Sequence, residues 1–497
     1  MATETTSPFI EDTKLRATID RSLRHPVMFF FTSGAAWLAV SLILGIISSA
    51  KIHSPEFLGN CSCLSHGLTK LAHMSTLIYG WGAQVAFGVM IWLMSRLSRQ
   101  ECRKSGIILA AGHVWNALIA VGTVFILFGE GSGKTWMAFP DWMWVPLLCV
   151  YAAIGVWAVI AFRVRRGGHI YISQWYILAA LFWFPWIFIT GNLFFTTFLG
   201  DTHPLMATAS HAWFRSALMF LFFTPVAAAS AYYIAPKVTG RPIYSYSLAL
   251  LGFWALAVIG PWAGMQRLAG TPLPEFMEYV SAGAAILLVI PAIAVAVNII
   301  KTAKTKPQAM AYSPSLRFSV AGAVGMVVMA LLGAMTSLPV VSKYTQFSTV
   351  NYGIELVGLY GFFSMCMFGA IYFIVPRITN REWISAGMIR QHFWLSVYGV
   401  VFIAIIYTLG GGFMHGYILE QPDQAYQSIS DRLDAYAVGL TLSFVFLLIS
   451  VFLFCVHLLL MWLRLGRRSS HPTLLVRHHG SSSPHGPEGD LDKLEAQ

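Results

Sequence analysis

Histidine, cysteine and a few charges set inside apolar runs are the side chains here that could carry redox, metal or proton chemistry. The 15 histidines are unevenly placed, with none from Ala212 to Gln391. His113, His392 and His457 fall near or within apolar runs but are scattered and lack the spacing of a metal site, so structural hydrogen bonding is their expected role. His73 stands alone near the start of another run. The 6 cysteines include no Cys-x-x-Cys-His haem-attachment signature, and Cys61 and Cys63 are too close for an unstrained bridge. Gly129–Thr135 (GEGSGKT) is similar to a phosphate-binding loop, but the first glycine of that pattern would fall on Phe128, so a plain turn is expected. Ser245 and Tyr246, at the start of an apolar run, are expected to be ordinary interfacial groups. Arg215 and Glu355 are different, because a charge inside an apolar span costs roughly 3 kcal/mol or more unless it is paired or wetted.

Composition decides which elements hold these groups. With 57% hydrophobic and 11% charged residues among 497, a water-soluble core could not hide the apolar surface. A spanning helix needs roughly 20 apolar residues, and runs of that length near Val27–Ser49, Leu71–Leu97, Gly106–Phe128, Trp142–Phe162, Ile172–Phe198 and Ala207–Ala235 are followed by as many again up to Leu465. The sequence therefore predicts an all-α membrane protein of twelve transmembrane helices. Residues 1–25 form a polar cytoplasmic N-terminal segment with no cleavage site after the first run, 26–468 the membrane domain, and 469–497 a Ser-, His- and Pro-rich disordered cytoplasmic tail. Alternate loops carry the basic residues, among them Arg96, Arg99, Arg163, Lys237, Lys301, Arg377 and Arg464, which places these loops and both termini in the cytoplasm. The net charge of +11 is then a cytoplasmic rim facing lipid and water, and nucleic-acid binding is excluded. Ala231–Arg241 (AYYIAPKVTGR) and Ile371–Arg381 (IYFIVPRITNR) echo one another four helices apart, as repeated helix groups do, although a terminal proline and aromatic belt suit any helix end.

These segments also carry a family likeness. Phe222–Tyr246, Ser364–Ser385 and KLAHMSTLIYGW from Lys70 resemble the catalytic subunit of cbb3-type, or C-type, haem-copper cytochrome c oxidases, over nearly the whole chain to about Arg468. The resemblance implies a haem-copper oxidase subunit I-like bundle, two haems and one copper in the intact family, partner membrane and haem c subunits, and a multi-pass place in the bacterial cytoplasmic membrane. Position by position, it places one low-spin haem ligand on His73. The His-x-His pair of the tenth span falls on Ile354 and Leu356, around Glu355. The copper histidines fall on Ser216 and on Gln266 and Arg267, and the redox tyrosine near Gly260, in a stretch from Ser247 to Glu278 that has no Tyr. Ile and Leu have no lone pair to give, and Ser, Gln and Arg are poor copper ligands. No metal site is expected, and His73 could hold a residual haem b by at most one axial bond.

Counting inward at about 1.5 Å per residue puts Arg215, Ser216, Gln266, Arg267, Ile354, Glu355 and Leu356 at similar depth in the outer third of the membrane. Arg215 and Glu355 are candidate cavity charges, pairing as a polar plug or, in the alternative, Arg215 reaching outer water by itself. Three functions stay open: a non-catalytic homologue of respiratory electron transport acting as a structural, assembly or partner subunit; a cytochrome c oxidase-type oxidoreductase with unconventional haem ligation; and a proton or solute pathway through the altered cavity.

Overall fold

The computed structural model describes residues 8–167, 169–193, 204–421 and 425–467. The tail expected at 469–497 and the first seven residues of the N-terminal segment lie outside them. Among the described residues, twelve helices are long and apolar enough to cross a membrane: α1 Lys14–His53, α2 His66–Ser98, α3 Ser105–Leu127, α4 Asp141–Arg163, α5 Ile172–Leu193, α6 Pro204–Thr239, α7 Tyr246–Leu268, α8 Glu275–Lys304, α9 Pro314–Ser337, α10 Val350–Thr379, α11 Ala386–Leu419 and α12 Gln427–Trp462.

Burial sorts these helices into two groups. The apolar windows of α2 and α10 are 100% buried and that of α6 is 94% buried, whereas the others are 33% to 56% buried and keep an apolar face outward, as a lipid-facing helix must. α2, α6 and α10 pack on one another at the centre, and α1 closes the surrounding ring against α12. Small residues allow the close approach. A Cβ on Gly82 of α2 would come 2.9 Å from the Phe223 ring of α6, and one on Gly325 of α9 would overlap the Gly361 carbonyl of α10.

The same three central helices widen locally into π turns, at Thr76–Ala83, Met219–Phe223 and Val357–Ser364, with a fourth at Phe402–Gly411 of α11. Such turns displace the backbone ladder, and hydroxyls satisfy the carbonyls set loose. Thr224 donates to Met219 O at 2.9 Å, Ser364 to Leu359 O at 2.7 Å and Thr408 to Ile403 O at 2.7 Å. Ser364 in turn receives Trp81 Nε1 of α2 at 2.8 Å.

The echoed segments have the same end geometry. α6 stops at Gly240 (φ 64°) and α10 at Asn380 (φ 53°), each residue donating its N–H to a proline carbonyl, Pro236 or Pro376. The next helices both start with a serine N-cap, Ser245 and Ser385. α2 also ends in the left-handed region, at Arg99 (φ 54°), so a related end recurs at every fourth helix.

Two elements differ from the sequence expectation. The helix that carries the α1 span begins at Pro8, well ahead of the apolar run at Val27. Its polar part stays helical because Ile19 and Leu23 are buried and Asp20 accepts Trp92 Nε1 at 3.0 Å and Arg96 at 3.3 Å. α7 is regular only over Tyr246–Ile259; Gly260–Trp262 and Met265–Leu268 are separate 3₁₀ turns. Between them Gly264 has φ 125°, and a Cβ there would lie 2.7 Å from Ala212 O, so glycine lets the turn fold onto α6.

Candidate functional site

Four segments meet near one end of the central helices. α6 brings Arg215 and Ser216, the turn at the end of α7 brings Gln266 and Arg267, α10 brings Ile354 and Glu355, and the connection between α3 and α4 brings Trp136; all line one cavity of about 40 Å³. Glu355 is its focus and is only 5% exposed. Oε1 receives Arg215 Nη1 at 3.0 Å and Arg267 Nη1 at 2.5 Å, and Oε2 receives Trp136 Nε1 at 2.8 Å. One carboxylate thus takes three donors, two of them cationic, which is how a charge survives burial at this depth.

The polar neighbours are also engaged. Gln266 Oε1 accepts the Gly264 N–H and the Ser281 hydroxyl, both at 2.6 Å, so the amide braces the α7 turn against α8. Gln346 Nε2 donates to Ala269 O at 2.5 Å and Arg267 O at 3.3 Å, tying the same turn to the connection between α9 and α10. Leu356 is fully buried and does not line the cavity.

His73 lies apart from this cluster, against α1, α10 and α12. Nδ1 is 2.7 Å from Ser41 O, and since a carbonyl only accepts, the proton belongs on Nδ1. Nε2 then carries the lone pair, and it is buried with no hydrogen-bond partner among the described residues. Gly45 permits this pose, because a Cβ there would lie 2.9 Å from Nδ1 and Cε1. Tyr360 and Phe444 complete the surroundings, with ring centroids 6.4 and 5.1 Å away.

These residues can be tested against the two haems and the copper that the resemblance implies. For a high-spin haem and copper the donors fail: Ser216, Gln266, Arg267 and Ile354 surround the cavity without an imidazole or thiolate, and two guanidiniums repel a metal cation. Among the described residues, no group of three or more His, Cys, Asp or Glu could hold a metal. For a low-spin haem the fit is half complete. His73 has the tautomer and the braced Nδ1 of a ligating histidine, while Leu356 offers no opposite donor.

The other candidates have structural partners. His113 packs on Phe29 with ring centroids 4.4 Å apart, His392 meets the Tyr372 hydroxyl at 2.8 Å, and His457 Nε2 accepts Ile384 N–H at 3.0 Å. Ser245 caps α7 and exchanges two hydrogen bonds with Asn298. Cys61 and Cys63 are free thiols in Sγ contact at 2.7 Å, and the Cys63 thiol lowers the pKa of Cys61 by donating to it. Gly129 and Gly133 adopt positive φ in the GEGSGKT stretch, which is a turn. Sequence reasoning missed two participants. Arg267 was read only as a lost ligand position, and its role as second partner to Glu355 depends on the α7 turn. Trp136 belongs to no motif, and its one sequence signal is that Trp136–Phe139 is an apolar cluster within a polar connection; all four residues are buried.

Comparisons with known proteins agree with this architecture. The chain is 25% identical over 382 residues to the cbb3-type cytochrome c oxidase subunit CcoN1 of Stutzerimonas stutzeri, covering 75% of this chain and 80% of that one. It is 26% identical to a cytochrome c oxidase subunit 1 homolog of Azorhizobium caulinodans, covering 75% and 69%, and 26% identical to cytochrome c oxidase subunit 1 of Rhodobacter capsulatus, covering 74% and 71%. The cryo-EM structure of a heme-copper terminal oxidase dimer shares the fold, with a TM-score of 0.70 at 14% identity over 94% of this chain and 89% of that one. The profile of cytochrome C and quinol oxidase polypeptide I matches residues 25–449, and the chain, an all-helical multi-pass membrane protein, belongs to that family, subunit I of the haem-copper oxidases.

Proposed function

We propose that this chain keeps the subunit I scaffold without the oxygen-reducing centre, and serves as a structural, assembly or partner subunit of a respiratory membrane complex. One observation carries the reading: Ser216, Gln266, Arg267 and Ile354 converge on a single small cavity, and the strongest interaction in it is the ion pairing of Glu355 with Arg215 and Arg267. Family histidines would bring neutral donors to a metal there. This chain brings two arginines, a carboxylate and a Trp136 N–H that bond to one another. The outward apolar faces of the peripheral helices suit lipid and further membrane subunits, including the haem c subunits of a cbb3-like assembly.

The pose of His73 favours a second reading, a residual haem b held by one axial bond, because a buried Nε2 without a partner is costly unless something accepts its lone pair. Oxygen uptake tests the first reading. Purified chain supplied with ascorbate and a small redox mediator is expected to consume oxygen no faster than the mediator alone. Uptake that saturates with mediator and is abolished by cyanide would establish the oxidoreductase alternative.

A further inference from the structure

Glu355 is outnumbered by cations. Arg215 and Arg267 both direct a guanidinium nitrogen at its Oε1, and among the described residues no second carboxylate lies within ion-pair distance of either. Lys70 adds a third positive charge. Its ammonium sits 4.5 Å from the centroid of the Tyr352 ring, one turn before Glu355 on α10. Three cations and one anion leave an excess of two positive charges within the outer part of the bundle. Charge at such depth is stable only when paired or wetted.

The donors are also in excess. A guanidinium presents five N–H groups in a planar fork, and Arg215 Nε is buried with no acceptor among the described residues. The cavity beside both arginines measures about 40 Å³. A water fills roughly 10–15 Å³ on this measure, so the space suits one to three heavy atoms. A second cavity of about 20 Å³ shares Gln266, Arg267 and Ile354 with the first and continues past Thr336, Ser342 and Gln346. That lining is polar, as a path for a hydrated ion requires, while Met219, Met329 and Leu288 add apolar wall to the first cavity.

We infer that this cavity binds a small monovalent anion, a halide or a three-atom oxyanion or carboxylate, held by Arg215 and Arg267 and admitted past Ser342 and Gln346. Glu355 aligns the two guanidiniums and, as a like charge, limits the affinity. The inference rests on the reading that charged side chains rather than haem and copper fill this space. Stoichiometric copper, or a haem signal that survives His73→Ala, would overturn that reading, whereas the anion site stands or falls on the titration below.

The test uses the full chain in detergent, in a buffer whose only anion is gluconate, too large for the cavity. Chloride, nitrite and formate are titrated while thermal unfolding and tryptophan fluorescence are followed, Trp136 being hydrogen-bonded to the cluster. At least one of the three is expected to raise the unfolding temperature saturably, and their ranking distinguishes a halide from an oxyanion or carboxylate. R267Q is expected to weaken this response by on the order of tenfold, and E355Q to bring saturation at roughly tenfold lower concentration because the competing carboxylate is gone. The anion should also restore part of the stability that E355Q loses, which keeps that variant informative. K343Q, at a side chain 65% exposed, is the control and should respond as the parent does. An equal response to gluconate, an unchanged response in R267Q, or no response in either the parent or E355Q would overturn the inference.

Discussion

Removing Glu355 and removing Arg215 should have very different costs. In a simple pair, deleting either partner strands the other, and the two losses are similar. Here the carboxylate is shared, with Arg215 at 3.0 Å and Arg267 at 2.5 Å. With charge centres about 4 Å apart and an effective dielectric constant near 20, each attraction is worth about 4 kcal/mol before desolvation. The two guanidiniums, roughly 6 Å apart around one oxygen, repel by about 3 kcal/mol on the same basis. Glu355→Leu forfeits both attractions and keeps the repulsion, a loss of about 3–5 kcal/mol after recovery of the carboxylate's own desolvation. Arg215→Leu forfeits one attraction, relieves the repulsion and still leaves Glu355 paired, so it should cost no more than about 1 kcal/mol by the same reckoning. The double change should remain less stable than the parent because Arg267 is left alone. Adding Arg267→Leu should recover most of the loss, since apolar replacement of a buried ion group is often neutral. Reversible unfolding by SDS in mixed micelles, with gluconate as the buffer anion, measures all four variants. Equal losses for Arg215→Leu and Glu355→Leu, or no recovery in the triple variant, would refute the shared-carboxylate account.

Further outcomes follow from the packing and the topology. Trp136→Phe removes the N–H donor to Glu355 and keeps an aromatic ring; it should cost about 1.5–3 kcal/mol in the same unfolding assay, and a neutral result would remove Trp136 from the cluster. Gly325→Ala would drive a methyl group into the Gly361 carbonyl of α10, with a cost of at least about 1–3 kcal/mol, while Gly283→Ala, where nothing lies within 4 Å, should be tolerated. Reporter fusions after Arg99 and after Gly131 should report opposite sides of the membrane, the first cytoplasmic; the same side for both would contradict the alternation of basic loops.

The twelve spans were legible because long apolar runs have few other uses in so apolar a chain, and their cores coincide with the helices found. The echo of Ala231–Arg241 in Ile371–Arg381 was legible because both helix ends use a proline and a following residue able to adopt positive φ. The related end of α2 was not, since Arg99 reaches the same backbone geometry with neither proline nor glycine. The π turns left no mark in hydrophobic periodicity. Their sequence trace is a hydroxyl at Thr224, Ser364 and Thr408, visible only once the carbonyl five residues back is known. Depth counting placed Arg215 and Glu355 at one level because α6 and α10 run without a break past them. It gave no role to Arg267 beyond a lost ligand, because counting assumed a regular α7 whereas Pro261 and Gly264 break it and turn Arg267 back on α10. Trp136 was out of reach for another reason: it comes from a connection, at φ 70°, and no helical period places it.

Whether arginines and a carboxylate replace the haem and copper ligands at the positions the resemblance assigns can be read from the optical spectrum and metal content of the purified chain. The expected result is no stoichiometric copper and no carbon monoxide shift that survives His73→Ala. Any haem b signal should be substoichiometric and lost in His73→Ala, because His73 Nε2 is the one donor suited to it at these positions. Copper at one equivalent per chain, or a carbon monoxide-sensitive haem that survives His73→Ala, would contradict the account.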